Sequence, residues 1–241
     1  PPAFVAKVEE EQGWTFIQVY GMTESSPLSL VSTIRSHLSD LPRETLYRMK
    51  AKAGHPMIGS DVRAINGQGD EIANDGKEIG EVVVRGHGVM KGYWKNEEAT
   101  MAAIRDGWLH TGDMGTVDEY GNIDIVDRMK DVIISGGENI SSIEVEGNLY
   151  DHPAVLEAAV IAVPHEKWGE TPHAYIVARQ GHSVTEAELI AFSRDSLAHF
   201  KSITGVTFVD ELPKTASGKI QKVQLRNDYW ERHGKTGRFV N

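Results

Sequence analysis

Residues 123–146, IDIVDRMKDVIISGGENISSIEVE, contain the change of pattern that decides the fold. Before the middle of this stretch, short apolar runs alternate with turn residues, which is typical of antiparallel strands. After it, helix and strand patterns alternate, and Ser141 with Glu144 has the spacing of a capping box that opens a helix. We therefore expect two domains, one over residues 1–129 and a smaller α+β domain over residues 130–241.

The first domain is expected to begin with a helix at residues 1–12 and a strand at residues 14–20 that Gly21 ends. Residues 21–32 are rich in Ser, Thr, Pro and Gly, so they predict a loop at the carboxyl end of that strand, where α/β folds place ligands. The other expected elements are a helix around 41–52, antiparallel strands within 58–85, a helix from Asn96 to about Arg105, and paired strands at 116–117 and 123–125.

The second domain is expected to alternate helices and strands, which makes the fold class α/β and α+β. Its expected elements are a helix from Ser141 to Tyr150, strands at 155–163 and 173–178, a helix from Thr185 to about Phe200, a strand at 206–209, and a helix at 221–232 whose apolar members are Val223, Leu225 and Trp230.

Composition excludes several classes of protein. Among the 241 residues, 35 are acidic and 25 basic, so the net charge is −10, and no basic block could follow a nucleic-acid backbone. Cysteine is absent, which excludes disulfides and thiolate chemistry. The longest apolar stretch, residues 155–163, is interrupted by Glu157 and is far shorter than the roughly 20 residues that span a bilayer. We expect a cytoplasmic protein without a transmembrane segment. Since the chain opens at Pro1 without a leader, we also expect a fragment.

Four short motifs follow one another along the chain. They are Tyr20-Gly-Met-Thr-Glu24, Gly107-Trp-Leu-His-Thr-Gly-Asp113, Asp127-Arg-Met-Lys-Asp131 with the glycine turn at 135–139, and Pro213-Lys-Thr-Ala-Ser-Gly-Lys219. In this order they resemble the second half of adenylate-forming enzymes, the superfamily of acyl- and aryl-CoA ligases, peptide-synthetase adenylation domains and luciferases. The resemblance implies that residues 1–129 are the end of the large AMP-binding domain, including its antiparallel β region. Residues 130–241 would be the complete small mobile domain.

The first motif places an aromatic ring, a glycine, a hydroxyl and a carboxylate within five residues, which suits a nucleotide. The resemblance implies that Tyr20 stacks on adenine, that Thr23 binds the α-phosphate, and that Glu24 helps to hold Mg²⁺, with Thr23 and Glu24 in catalytic roles. The resemblance also places Gly21 and Met22 in this ATP-binding segment. Without the other motifs, a tight turn with a core tyrosine and a solvated glutamate is the alternative.

The resemblance implies that the second and third motifs supply the ribose contacts. A carboxylate after a Thr-Gly turn can accept both hydrogen bonds of a cis-diol, and the resemblance assigns that role to Asp113. Arg128 would reach the same ribose with donors that keep their protons, and Ile125 is included in the nucleotide-binding set. Taken singly, Asp113 could cap a turn and Arg128 could form a surface ion pair. His110 lies outside the chemical set of the family and is interpreted as structural.

The small domain carries the remaining predicted site residues. The resemblance implies that Lys219 stabilises the charge formed when an acid oxygen attacks the α-phosphate, and that Lys130 is the hinge of the domain. Gly136 and Gly137 would let the pantetheine arm of CoA pass, and Trp168 would contact CoA. The alternatives are solvated lysines and a turn with a buried tryptophan. The full phosphate-loop pattern is absent.

The resemblance therefore implies part of an ATP-dependent acyl-CoA synthetase. The acid and ATP would give acyl-AMP and pyrophosphate, then CoA would give acyl-CoA and AMP, with Mg²⁺ on the phosphates. A medium- or long-chain fatty acid is the expected substrate, and aryl or short thioether acids are the alternatives. The phosphate loop of the family lies before Tyr20 and cannot fit in nineteen residues, so we expect this chain alone to be inactive. A peptide-synthetase adenylation domain, a luciferase-like oxygenase and a non-catalytic interaction fragment are the alternatives, and a homo-oligomer is an open assembly state.

Overall fold

The computed structural model describes residues 1–216 and 218–233. The chain divides into two compact units, Pro1–Met129 and Lys130–Asn241. Both mix helices with largely antiparallel sheets, as the predicted fold class requires.

The first unit opens with helix α1 (Pro2–Glu11), which has proline in its first turn, where a missing N–H costs little. A three-stranded antiparallel sheet follows, formed by β1 (Val19–Tyr20), β2 (Leu30–Val31) and β3 (His55–Pro56). Helix α2 (Arg43–Lys50) lies between β2 and β3 in the chain.

The predicted strand at residues 14–20 is wrong except for its last two residues. The N–H of Phe16 donates to Oε1 of Glu9 at 2.9 Å, and the N–H of Gln18 donates to Oγ of Ser32 at 2.7 Å. Side chains therefore accept from these two N–H groups in place of the carbonyls of a neighbouring strand, which the apolar pattern alone could not supply. The predicted loop at 21–32 is interrupted near its end, because Leu30–Val31 form β2.

The larger sheet of the first unit has five strands. Its members are β4 (Ser60–Ile65), β5 (Gly80–Gly86), β6 (Ile104–Arg105), β7 (Trp108–Val117) and β8 (Ile123–Arg128), in the order β4-β5-β7-β6 with β8 also paired to β7. All these pairs are antiparallel, which confirms the prediction for this region. Helix α3 (Glu97–Ala103) begins at the Asn96 cap and ends before Arg105, because Ile104 and Arg105 pair with β7.

A bulge interrupts the pairing of β5 with β7. Glu81 lies opposite Met114 and Val83 lies opposite His110, so that Val82 alone faces the three residues 111–113. Gly112 has φ +70° within this bulge, a left-handed conformation that favours glycine. Bulges redirect side chains and are common beside functional sites.

The second unit is built on another five-stranded sheet. It contains β9 (Ile133–Ser135), β10 (Glu138–Ile140), β11 (Val155–His165), β12 (Gly169–Ala178) and β13 (Gly205–Phe208), in the order β10-β9-β12-β11 with β13 on β12. Strands β11 and β12 form a long antiparallel hairpin, whereas β13 pairs with β12 in parallel.

Three helices cover this sheet: α4 (Ser142–Tyr150), α5 (Glu186–Ser196) and α6 (Lys222–His233). Along β11, Ala158, Val160 and Ala162 join the core that contains α4 and α5 residues. The alternate residues Ala159, Ile161 and Val163 join a second core that includes Leu225 of α6. Because both faces are covered, residues 158–163 of β11 form a continuous apolar run.

The predicted helix starts in this unit are confirmed, and three details differ. Thr185 and Glu188 form a complete capping box, whereas Ser141 caps α4 and the carboxylate of Glu144 accepts from Lys201 at 2.7 Å. Helix α5 ends at Ser196, before the predicted end. Val223 is exposed, so its predicted apolar role in α6 is wrong. In the part of the chain that the structure describes, no helix is both long and apolar enough to cross a bilayer.

Candidate nucleotide site

Asp113 is the centre of the candidate site in the first unit. It closes the bulge of β7, and its Oδ2 accepts from the hydroxyl of Tyr20 at 2.7 Å. Its Oδ1 lies 3.3 Å from Nε of Arg128, which is its partner in the β7–β8 register. Asp113 is only 8% exposed. Three residues predicted to hold a nucleoside therefore lie together, although one comes from a different sheet.

Tyr20 combines an apolar and a polar contact. Its ring packs against the core of the first unit, as do Met22 and Ile125. Burial raises the pKa of the Tyr20 hydroxyl, and the hydrogen bond to Asp113 raises that pKa further, so the hydroxyl remains a donor. The packing of Met22 and Ile125 is structural, and their contact with a nucleotide stays a prediction.

Glu81 positions the bulge, and the sequence motifs did not include it. Its Oε1 accepts from the N–H of Gly112 at 3.2 Å, and its Oε2 lies 2.7 Å from Nδ1 of His110. Thr111 donates to the carbonyl of Val82 at 2.7 Å and accepts from the N–H of Asp113 at 3.1 Å. His110 is thus a structural partner, in line with its interpretation. The local sequence offers no distinct signal for Glu81, because β5 also contains the charged Arg85.

The first motif continues into a short turn at Thr23–Ser25. A Cβ at Gly21 would lie 1.9 Å from the carbonyl oxygen of Pro27, so only glycine fits this close approach of two backbone segments. The side chain of Thr23 is exposed, and Oε1 of Glu24 accepts from the hydroxyl of Tyr93 at 2.9 Å. That hydrogen bond raises the pKa of Tyr93, and burial adds to the effect.

The carboxylate of Glu24 suits only one kind of Mg²⁺ site. Within residues 1–216 and 218–233, no three His, Asp or Glu side chains form a metal-binding group. Mg²⁺ commonly binds through one or two carboxylates, with phosphate oxygens and water as its other ligands. Glu24 therefore fits a Mg²⁺ ion that arrives with nucleotide phosphates and does not fit a protein-enclosed metal.

In the second unit, the glycine turn and Trp168 lie against each other. Gly136 and Gly137 have φ +60° and +91° and join β9 to β10, as a two-residue hairpin turn of this hand requires. The N–H of Gly136 donates to the carbonyl of Trp168 at 2.8 Å, and a Cβ at Gly136 would lie 3.0 Å from Cε3 of the indole. The Trp168 side chain is exposed, which rules out the buried-tryptophan alternative.

Lys219 lies on an exposed turn just before α6. Its N–H donates to Oγ1 of Thr215 at 3.2 Å, and the N–H of Thr215 donates back to the Lys219 carbonyl at 2.8 Å. Among the described residues, no carboxylate pairs with the Lys219 ammonium, whereas Lys214 pairs with Glu157 at 2.5 Å. Lys130, the predicted hinge, is exposed at the first position of the second unit.

Two family models match the chain. The model described as "AMP-binding enzyme" matches residues 1–94, and "AMP-binding enzyme C-terminal domain" matches residues 144–219. Among curated relatives, "Probable acyl-activating enzyme 12, peroxisomal" of Arabidopsis thaliana is 41% identical over 240 residues, covering 94% of this chain and 41% of the relative. "Trans-cinnamate:CoA ligase, peroxisomal" of Petunia hybrida is 41% identical over 228 residues, covering 94% of this chain and 40% of the relative.

Solved structures give the same picture. The o-succinylbenzoate CoA synthetase of Bacillus subtilis, in complex with the acyl-adenylate intermediate OSB-AMP, matches with a TM-score of 0.80 and 33% identity. The match covers 99% of this chain and 45% of that one. The chain thus spans less than half the length of the relatives that it matches.

Proposed function

Because the chain belongs to the AMP-binding family of adenylate-forming enzymes, we propose that it is the C-terminal part of an ATP-dependent carboxylic acid–CoA ligase. The observation that carries the proposal is the meeting of Tyr20, Asp113 and Arg128 in one polar group. The names of several relatives, among them "Benzoate--CoA ligase, peroxisomal" and "Feruloyl-CoA synthase", support the same chemistry.

In this proposal the first unit binds the nucleotide. Asp113 accepts from the ribose hydroxyls and Arg128 donates to the same sugar, while the ring of Tyr20 stacks on adenine. Thr23 donates to the α-phosphate from its exposed turn. Mg²⁺, when bound at Glu24, neutralises phosphate charge.

The first half-reaction joins the acid to AMP. A carboxylate oxygen of the acid attacks the α-phosphorus, and the bond from that phosphorus to pyrophosphate breaks. Lys219 stabilises the negative charge that builds up on the reacting oxygens, as a positioned ammonium does in phosphoryl transfer. Its freedom from a carboxylate partner among the described residues supports this role.

The second half-reaction forms the thioester. The sulfur of CoA attacks the acyl carbonyl, and the bond from that carbon to the AMP oxygen breaks. We assign Gly136, Gly137 and Trp168 to the CoA side, since the turn has no side chains and an exposed indole lies against it. Lys130 is the proposed hinge that separates the two steps.

The acid and the compartment are finer parts of the proposal. A medium- or long-chain fatty acid is our first candidate. An aryl acid is the second, because the relatives include ligases named for benzoate and cinnamate, whereas another relative is named for the aliphatic acid butyrate. We propose the cytoplasm as the compartment, and cell fractionation would decide between it and the peroxisome, which several relatives carry in their names.

The test uses the full-length protein and the 241-residue chain side by side. We expect the full-length protein to release pyrophosphate and form a thioester with at least one acid from a panel running from butyrate to palmitate and from benzoate to ferulate. We expect the chain alone to release none, although it binds AMP. Failure of the full-length protein with every acid would contradict the ligase proposal, and failure of the chain to bind AMP would favour a non-catalytic fragment.

A further inference from the structure

The first turn of α6 carries a charge that the helix itself disfavours. Lys222 is the first residue of α6, and the first turn contains no acid. The amino end of a helix carries a partial positive charge, so a lysine there is unfavourable unless another element compensates for it. Arg226 lies one turn further on the same face of α6.

An acidic residue on helix α4 compensates for the positive charge of Lys222. The Lys222 ammonium lies 2.7 Å from Oε1 of Glu146 and donates to Oγ of Ser142 at 2.6 Å. Glu146 also accepts from the N–H of Val160 at 2.8 Å. The side chains of Lys222 and Glu146 are each 13% exposed. This pair therefore joins α6 to α4 and to β11.

Arg226 forms a second ion pair, which connects α6 to the start of the second unit. Its guanidinium donates to Oδ1 of Asp131 and pairs with it as an ion pair. The Arg226 side chain is 7% exposed and that of Asp131 is 10% exposed. Asp131 directly follows Lys130, so the residue after the proposed hinge is bound to the helix that follows the Lys219 turn.

Buried ion pairs of this kind contribute little net stability, because desolvation offsets their attraction. They do restrict the geometry, because a guanidinium presents its donors in a fixed plane and a buried ammonium must keep its acceptors within hydrogen-bond distance. Removing one partner leaves an uncompensated buried charge, which makes the arrangement hard to change.

We propose that Lys222 and Arg226 are positioning residues for Lys219. Together with Glu146, Ser142 and Asp131 they form the α6 clamp, which holds the described turn residues 213–216 and 218–221, helix α4 and the segment after Lys130 as one rigid part. The catalytic meaning of the clamp rests on the proposed function, in which Lys219 stabilises the adenylation transition state.

Hydrogen exchange of the 241-residue chain tests the clamp without any catalytic readout. The backbone N–H groups of Thr215, Lys219 and Gln221 all have acceptors within the turn. We expect Asp131→Asn to speed their exchange by about tenfold or more, whereas the core N–H groups of Ala174 and Ile176 change much less. Glu146→Gln should speed the same exchange, because it removes the carboxylate that pairs with Lys222.

Two further variants complete the exchange experiment. Glu144→Gln, which breaks the more exposed pair with Lys201 in the same unit, is the matched control and should leave the turn unchanged. Arg226→Lys keeps the charge but loses the fork of donors, and it serves if the Asp131 variant does not fold. Equal rates at the turn in all variants, or an equal rise at turn and core, would overturn the clamp.

The full-length enzyme tests the link to catalysis. We expect Asp131→Asn to lower kcat for acyl-adenylate formation by about tenfold or more and to change KM for ATP less than twofold, with partial recovery in Arg226→Lys relative to Arg226→Ala. An unchanged kcat together with faster exchange would overturn the positioning role. If the wild-type enzyme activates no acid, the proposed function fails, and the exchange rates still decide on the clamp.

Discussion

The hydroxyl of Tyr20 donates to Oδ2 of Asp113 at 2.7 Å, across 93 positions of the chain. Arg128 lies against the other oxygen of the same carboxylate. A carboxylate offers about four lone-pair sites, so these two partners still leave room for two ribose hydroxyls. Asp113 can therefore be held in place and bind a diol at the same time.

Tyr20→Phe tests whether the hydrogen bond from Tyr20 holds Asp113 in place. The ring stays and the donor is lost, so we expect the free energy of unfolding to fall by about 1.5–3 kcal/mol, the range for a hydrogen bond to a charged group. Urea denaturation measures this change. Tyr93→Phe, which removes a donor to the more exposed Glu24, is the control and should cost less. If Tyr20→Phe leaves the free energy of unfolding unchanged, the hydrogen bond to Asp113 does not hold the site in place.

Glu81→Gln should loosen the bulge that presents Asp113. The new amide nitrogen is a donor and would face the N–H of Gly112 or the ring of His110. We expect a loss of about 1–3 kcal/mol in stability, because buried donors lose their acceptor, and a weaker affinity of the chain for AMP. Calorimetric titration with AMP measures the affinity.

Glu71→Gln is the matched control for this substitution. The Glu71 side chain is 61% exposed in its ion pair with Arg63, whereas that of Glu81 is 12% exposed. An exposed pair contributes about 0–1 kcal/mol, so the control should change stability little and AMP affinity not at all. Equal effects of the two substitutions on AMP binding would contradict the positioning role of Glu81.

Gly136→Ala and Gly137→Ala form a pair that isolates the contact with Trp168. Both positions have positive φ, so each alanine should cost about 1–2 kcal/mol in unfolding free energy. Only the Cβ at residue 136 would approach the indole, at 3.0 Å, while residue 137 has open space around it. We expect the NMR signal of the Trp168 indole N–H to move in Gly136→Ala and to stay in place in Gly137→Ala.

Lys219→Ala should abolish most of the adenylation activity of the full-length enzyme. Loss of one positioned charge partner typically costs on the order of 10² or more in rate, and conversion of supplied acyl-adenylate to acyl-CoA should survive. Lys214→Ala is the control, because the ammonium of Lys214 is already paired with Glu157. If both substitutions slow adenylate formation equally, Lys219 is not the catalytic lysine.

His173 should make the second unit sensitive to acid. Burial lowers the pKa of His173 from 6.5 to about 4, and the nearby His233 lowers it while Glu186 opposes the shift. Since the folded pKa lies below the unfolded one, the stabilisation is complete above pH 6.5 and is lost as the pH falls through about 4.

An NMR titration of the His173 ring measures that pKa directly. We expect His173→Gln to lose less stability than the wild type between pH 7 and pH 4, by on the order of 2 kcal/mol. His182→Gln, at an exposed position, should follow the wild type. A ring that titrates near 6.5 would contradict the burial argument.

Local chemistry explains which parts of the structure could be read from the sequence. The caps at Asn96, Ser141 and Thr185 predicted helix starts correctly, because a cap needs only residues within one turn. The strand at residues 14–20 failed because a strand needs a neighbour, which the local pattern does not contain.

The candidate site likewise contains some residues that the sequence identifies and others that it does not. Tyr20, Asp113 and Arg128 could be named from motifs, and the structure brings them together. Glu81 could not be assigned, because its role depends on a bulge that forms only when β5 and β7 pair. The partners of Lys222 and Arg226 were hidden for the same reason, since 80 and 95 positions separate Ser142 and Asp131 from them.

The β11–β12 hairpin also sets an order of events in folding. Its strands join through only three residues, 166–168, whereas β13 reaches the same sheet after α5 has intervened. A short loop closes at little entropic cost, so we expect the hairpin to form first, within about 1–10 μs, and β13 to dock later. Substitutions in the hairpin should then slow refolding, and those in β13 should mainly speed unfolding. On the ribosome, this nucleus would be complete before α6 and the Lys219 turn have been synthesised.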